Sequence, residues 1–385
     1  MVKIVILPFL ILYILLFGAC VTDSSGRNTA GDPELYAVPS LTLHVEGNKI
    51  INENGKEVRL TGVNIPSLEW NPQGENLLAS VYEVFANWNC NVVRLPVDNN
   101  FWFGRPNNNE TWYLGMIADG GKAYRELIDK TVQLASDFGK YLILDNHAYE
   151  SASNDTLEFW KDAAARYRNN PSVLFGLLNE PTINSWQVWR DGGAAVEKEY
   201  VGHQKLVDEI RALGANNIII AGGLEWGYNL AGIADGYGGR ENGYELTDTD
   251  AGNGIIYDSH AYPWKDPATP FNTNKTKVLS TAVKAPVLIG EFGIHNGPMN
   301  GVYNGNTYAS SAYPDYLAQL LDWMEANSLN FTAWSFHPSA SPCMLLNNQD
   351  FAPTPWFGAI VKKRLLSYPN SNAHLDKLPE KPANN

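Results

Sequence analysis

Two glutamates stand at the ends of apolar runs, and they are the residues best placed to do chemistry. Glu180 closes the stretch Leu177-Leu178-Asn179-Glu180, and Glu291 closes Val287-Leu288-Ile289-Gly290-Glu291. A carboxyl at such a point sits where a buried segment meets solvent. Two of them facing each other across one cleft can split a glycosidic bond: one, protonated, assists the leaving oxygen while the other, ionised, attacks the anomeric carbon. Taken singly, each Glu can also be read as half of a structural ion pair or as the N-cap of a following helix. Glu225, in Gly223-Leu224-Glu225-Trp226, is the rival carboxylate and reads as a substrate-binding or structural residue. Other chemistries lack their equipment. There is no His-Glu-x-x-His, no clustered Asp or Cys and no Gly-x-Ser-x-Gly turn, so neither a metal nor any other cofactor is expected.

The elements that must hold these groups are legible as short runs rich in Val, Ile and Leu. They cover 59–64, 91–96, 141–146, 173–178, 217–221, 255–259, 286–290 and 330–334. The runs stay apolar instead of alternating, which marks strands covered on both faces, as in a parallel sheet under helices. Amphipathic stretches at 123–139, 155–169, 194–213 and 313–327 lie between them. Strands alternating with helices in this way predict an α/β fold, a closed (β/α)8 (TIM) barrel, preceded by a short β-hairpin around Asn54-Gly55. An open doubly wound sheet would need a Gly-rich phosphate turn after its first strand, and Gly62-Val63-Asn64-Ile65-Pro66 is not one. In a barrel the site lies at the C-terminal ends of the strands. Those ends read Arg94, His147, Asn179 with Glu180, Glu225, His260 with Tyr262, Glu291, and Trp334.

Four of these segments, Arg94-Leu95-Pro96, Asn179-Glu180-Pro181, His260-Ala261-Tyr262 and Glu291-Phe292-Gly293, each on its expected strand, resemble glycoside hydrolase family 5, the cellulase family. The resemblance runs from about residue 41 to 367. It implies a retaining double displacement with Glu180 as acid/base and Glu291 as nucleophile. Arg94 near Glu291 would favour the ionised nucleophile, or would pair structurally with a barrel carboxylate such as Asp145. Tyr262 can donate to the nucleophile, and His260 can orient the site or contact the sugar. Asn179 is placed for the sugar 2-hydroxyl, His147 for another hydroxyl unless it is a core histidine, and Trp334 for the floor beneath the sugar. The scheme requires Glu180 to hold its proton more tightly than Glu291, and so predicts a bell-shaped rate profile on the acidic side of neutrality.

The loop after the second strand carries Phe101, Trp102, Phe103, Trp112 and Tyr113, more aromatics than a solvated connection uses. Trp102, Trp226, Trp264 and Trp356 are candidate platforms for further sugar units, with ordinary loop packing as the alternative. β-1,4-Glucan is the expected substrate; mannan, mixed-linkage or β-1,3-glucan, and exo action at chain ends, stay open. From another class of function, a surface lipoprotein that holds glycan without cutting it would have lost a carboxylate, and neither is missing.

Composition narrows the setting. The 385 residues are 44% hydrophobic and 18% charged, enough to bury a core. With 41 acidic against 28 basic side chains the net charge is −13, which repels a phosphate backbone and excludes nucleic acid as an expected partner. Lys3, the apolar run 4–17 and Phe17-Gly18-Ala19-Cys20 resemble a lipoprotein leader, with cleavage after residue 19 and lipid on Cys20. The expected layout is therefore leader 1–19, polar tether 20–40, barrel 41–367 and a frayed Asn/Pro/Lys-rich tail 368–385. The protein is expected to be exported, held to a bacterial membrane only through its lipid, and monomeric. Cys90 precedes strand two and Cys343 follows strand eight, at opposite ends of the barrel, which argues against a disulfide between them.

Overall fold

The computed structural model describes residues 42–106, 114–265, 272–295, 301–303, 306–308 and 316–382. The leader, Cys20 and the tether lie outside the described residues, as do Trp112 and Tyr113. No described helix is long and apolar enough to cross a membrane.

All eight apolar runs become strands of one closed parallel barrel: β1 (Thr61–Asn64), β2 (Val92–Val97), β3 (Tyr141–Asn146), β4 (Val173–Gly176), β5 (Ile219–Gly222), β6 (Ile255–Ala261), β7 (Val287–Phe292) and β8 (Asn330–Ala333). Neighbours pair in chain order, and β8 closes on β1 through Phe331↔Thr61, Thr332↔Gly62 and Ala333↔Val63. Alternate residues face opposite ways. Val92, Tyr141, Ile143, Leu174, Ile220, Ile256 and Leu288 fill the barrel, while Val93, Leu142, Leu144, Phe175, Ile219, Val287 and Ile289 join the cluster under the helices. Two buried faces per strand are why the runs never alternate.

The outer ring comprises α1 (Leu77–Asn87), α2 (Lys122–Asp137), α3 (Asn154–Tyr167), α4 (His203–Ala212), α5 (Asn272–Ala282), α6 (Tyr316–Ala326) and α7 (Gly358–Leu366). Helix α2 buries Tyr124, Leu127, Ile128, Thr131, Val132 and Ala135, one face at helical spacing. Helix α3 starts in a capping box, in which Ser153 accepts from the Thr156 N–H and the Thr156 side chain answers the Ser153 N–H. Between β5 and β6 the chain makes two 3-10 turns (Ala231–Ile233, Tyr237–Gly239) and no α-helix.

Three expectations need correction. The helix expected over 194–213 starts only at His203, because Gly193–Ala195 and Lys198–Tyr200 pair as an antiparallel ribbon. The N-terminal hairpin (Leu43–Glu46 with Lys49–Asn52) turns at Gly47-Asn48, and Asn54-Gly55 forms a second turn beyond it. This hairpin lays Leu43 and Ile50 onto the interior cluster and so plugs the bottom of the barrel. The first part of the tail after α7, residues 368–375, does not fray. Ser371 is fully buried, the Asn89 amide donates to the carbonyls of Leu365, Tyr368 and Pro369, and Asn372 donates to the carbonyl of Phe85. Cys90 is buried beneath this strap, and both it and Cys343 are free thiols.

Candidate active site

Glu291 owes its position to an irregularity in β7. Between the pairs Asp258↔Leu288 and His260↔Glu291, β7 spends one residue more than β6. Leu288 faces the barrel interior, so strict alternation would turn Gly290 inward and Glu291 outward; the extra residue swings the Glu291 carboxyl into the barrel mouth. There Arg94 Nη1 donates to its Oε1 at 2.9 Å and the Tyr262 hydroxyl donates to its Oε2 at 2.8 Å. Arg94 is itself buried and fully engaged. The same Nη1 reaches Asn64 Oδ1 at 2.9 Å, while Nη2 reaches Asn179 Oδ1 at 2.6 Å and Asp145 Oδ1 at 3.0 Å. Both alternatives for Arg94 therefore hold at once: it pairs with the nucleophile candidate and with Asp145. Burial and the nearby carboxylates push the Tyr262 hydroxyl far above its usual pKa, which keeps it a donor.

Glu180 follows β4 on a two-residue extension, Glu180–Pro181, that pairs with Tyr149–Glu150 beyond β3. His260 Nδ1 lies 2.9 Å from its Oε1 and 3.5 Å from Glu291 Oε2, and Nε2 lies 3.3 Å from Asp258 Oδ2. With no exposure, His260 orients the carboxylates and cannot contact sugar. Burial opposes charge on its ring, but Glu291, Asp258 and Glu180 outweigh burial and raise its pKa to about 9. Lys265 Nζ reaches the same Glu180 oxygen at 3.0 Å. Burial works against ionisation of Glu180 too, yet Lys265 and His260 together hold its pKa below the usual carboxylate range. In the free protein Lys265 and His260 therefore favour the ionised form of Glu180, the opposite direction from the tightly held proton that an acid needs.

One oxygen from each of Glu180 and Glu291 and one nitrogen of His260 lie within 4.8 Å of one another. That spacing could suit a cation, but Lys265 and Arg94 already neutralise the two carboxylates. The carboxylates open into a cavity of about 300 Å³ lined among others by Glu69, His147, Tyr149, Asn179, Trp226, Trp264 and Trp334. His147 gives Nδ1 to Asp145 at 2.8 Å, presents Nε2 to Glu69 at 3.6 Å and stacks on Trp334 with the rings 5.4 Å apart. Its ring therefore belongs to the cavity wall. Burial lowers its pKa, but Glu69 and Asp145 prevail and raise it.

The remaining candidates divide. Trp226 stands 42% exposed at the tip of a tight turn, and Trp264 stacks on Tyr262 with centroids 4.4 Å apart; both line the cavity. Trp102 does not. Asp98 caps a short helix, Asn99–Phe103, which winds the aromatic run so that Phe101 and Trp102 turn into the core, where Trp102 Nε1 donates to Asp162 at 2.8 Å. Trp356 packs on the core and is not part of the cavity wall. Glu225 is taken by Asn229 at 2.8 Å and Lys277 at 3.1 Å, a structural pairing.

Sequence reasoning missed Asn64, Glu69, Tyr149, Asp258 and Lys265. Asp258 had a signal, a lone charge inside the apolar run of β6. Lys265 had a weaker one, three residues beyond Tyr262 at the same strand end.

Residues 51–340 match the sequence profile of the cellulase family, glycosyl hydrolase family 5. The chain belongs to this family. It is a retaining O-glycosyl hydrolase built on a (β/α)8 barrel. The family 5 chain is 27% identical over 343 residues to an endoglucanase of Paenibacillus polymyxa, covering 77% of this chain and 80% of that one. It is 24% identical over 269 residues to endoglucanase A of Butyrivibrio fibrisolvens, covering 68% of this chain and 54% of that one. Its fold is similar to that of the β-glucanase SdGluc5_26A from Saccharophagus degradans in complex with cellotetraose. The TM-score is 0.63 at 25% identity, over 89% of this chain and 97% of that one.

Proposed function

We propose that this family 5 enzyme hydrolyses β-1,4-linked glucan, with Glu291 as nucleophile and Glu180 as acid/base. The observation that carries the assignment is the approach of the two carboxylates, with oxygens inside 4.8 Å, against the carboxyl separation of about 5 to 5.5 Å typical of retaining pairs. In the first step a Glu291 oxygen bonds to the anomeric carbon while the glycosidic oxygen leaves with a proton from Glu180. In the second, water attacks that carbon, Glu180 takes the water's proton, and Glu291 departs as carboxylate. Arg94 and Tyr262, both on Glu291, stabilise the charge it carries before attack and after release. Asn179 and His147 line the cavity where sugar hydroxyls must lie, and Trp334, stacked on His147, lines it beside them.

The glucan assignment draws on the endoglucanase relatives and on the neighbour solved with cellotetraose. Intact carboxylates, each bound by donors that ready it for a step, argue against a binding protein that has lost catalysis. A panel of β-1,4-glucan, mannan, xylan, mixed-linkage glucan and aryl β-glycosides tests the reading, with Glu180→Gln and Glu291→Gln as controls. Fastest release from β-1,4-glucan and a loss of at least about 1,000-fold in both variants are expected, since each removes a group the reaction passes through. Activity surviving either change would remove the assignment, and a faster mannan or xylan would replace the substrate. The leader and Cys20 support export on a lipid anchor; the intact mass of protein from the membrane fraction should carry the acyl groups, and lose them in Cys20→Ser.

A further inference from the structure

Glu180 is held more firmly than an acid needs. Two donors, His260 Nδ1 at 2.9 Å and Lys265 Nζ at 3.0 Å, converge on one oxygen, Oε1. Positive charge beside a carboxyl favours its ionised form, and both of these groups bring it to Glu180. His260 is not free to give up its claim, because its other nitrogen faces Asp258 and the whole ring is sealed from solvent. Lys265 differs. Among the described residues it also donates to the Trp226 carbonyl and lies over the face of Tyr262, 5.4 Å from the ring centre, and it lines the cavity with Trp226 and Trp264. Its side chain is only 6% exposed, but unlike His260 it lines the cavity, so hydroxyls arriving there meet its ammonium.

We propose that Lys265 is a positioning residue that holds Glu180 in its proton-accepting form between substrates and yields the carboxyl to protonation when a sugar on the Trp226 and Trp264 side takes up the ammonium. This rests on Glu180 being the acid/base. Among the described residues, the groups facing Glu180 are Lys265, His260 and Tyr262 from the end of β6, Glu291 from β7 and Tyr149 from the segment after β3. Among these only Lys265 is a cation reaching in from the cavity side. The protons balance: one from solvent moves onto Glu180 as the ammonium leaves and passes to the glycosidic oxygen as the C–O bond breaks; another returns to Glu180 from the attacking water and goes back to solvent when the ammonium resumes its contact.

The sign of the effect follows. A cation beside a carboxylate favours its ionised form, so removing Lys265 makes Glu180 keep its proton to higher pH. The basic limb of kcat/KM, where the acid's proton is lost, must move up. The acidic limb of the deglycosylation step, where the base is lost, must move up with it. The test compares wild type, Lys265→Met, Lys265→Gln and Lys265→Arg. Cellopentaose reports the acid-dependent step, and dinitrophenyl β-cellobioside reports the later one, because its leaving group needs no proton. Met and Gln are expected to raise the basic limb on cellopentaose by about 1 pH unit or more, and Arg to leave it in place. Gln keeps a donor for the Trp226 carbonyl without the charge, so a shift shared by Met and Gln is due to charge and not to misfolding. Unshifted limbs in both neutral variants would overturn the proposal. Glu180→Gln fails separately: if it still cleaves cellopentaose, the acid/base assignment itself is wrong whatever Lys265 does.

Discussion

Replacing Trp226 by Ala should raise KM for cello-oligosaccharides without lowering the thermal midpoint, because the ring stands at the cavity rim and little packs behind it. The loss of one aromatic platform is worth about tenfold in KM at most. Trp102→Ala should do the reverse. Its ring is fully buried against Phe159 and bonded to Asp162, so truncation should cost about 3 to 5 kcal/mol in chemical denaturation and leave KM alone. A Trp102 variant with altered KM and normal stability would reverse that placement. The pair shows where a sequence stops being readable. Glu180, Glu291, Arg94 and Tyr262 could be placed because a strand end has only one mouth to face. A tryptophan in a loop has two directions available, and a cap at Asp98, not composition, decides between them. Lys265 was hidden for a related reason: its partner lies 85 positions away, on another strand end.

At the scale of elements, the barrel was legible because each strand is buried on both faces and so writes itself as an unbroken apolar run. What could not be read is the register. The additional residue in β7 aims Glu291, and its cost is borne by Gly290, whose N–H donates to Asp258 Oδ1 at 2.7 Å. A Cβ at Gly290 would lie 2.2 Å from Asp258 Oδ2, closer than any tolerated contact. Asp258 in turn faces His260, and His260 faces Glu180. Gly290→Ala should therefore do more than destabilise by about 1 to 3 kcal/mol. By displacing Asp258 it should move His260 away from Glu180, and kcat should fall well beyond what the lost stability explains. Full kcat at a temperature where the variant is folded would show that this chain of contacts does not position Glu180. The helical elements were less legible than the strands. Between β5 and β6 no helix forms, and the charged stretch before α4 supplies a ribbon, because pairing with a neighbour outweighs helical preference there.

For the molecule as a whole, the catalytic mouth and the bottom of the barrel are stabilised by different means. The mouth is polar and rests on matched charges; the bottom is closed by the hairpin plug and by the strap of residues 368–376. The strap's composition suggested fraying, since its Asn and Ser residues look solvated until the carbonyls and amides they meet, nearly 300 positions away, are known. Its deepest contact is Lys140, whose fully buried ammonium group donates to the Ser371 carbonyl. Burial lowers the pKa of Lys140 from 10.5 to about 7, opposed only weakly by Cys90. Between those two values the unfolded chain binds a proton that the folded chain does not, so this residue makes stability rise with pH across the window. Below about pH 7 the full cost of charging the buried amine is present; above about pH 10.5 it is gone. Lys140→Met removes the titration and also leaves the Ser371 carbonyl without its donor, a loss that does not depend on pH. The stability of the variant relative to wild type should therefore be lowest at alkaline pH, climb steadily as pH falls from about 10.5 to 7, and level off below. Urea melts of both proteins across this range measure that slope, and parallel curves would mean that the amine stays charged beneath the strap.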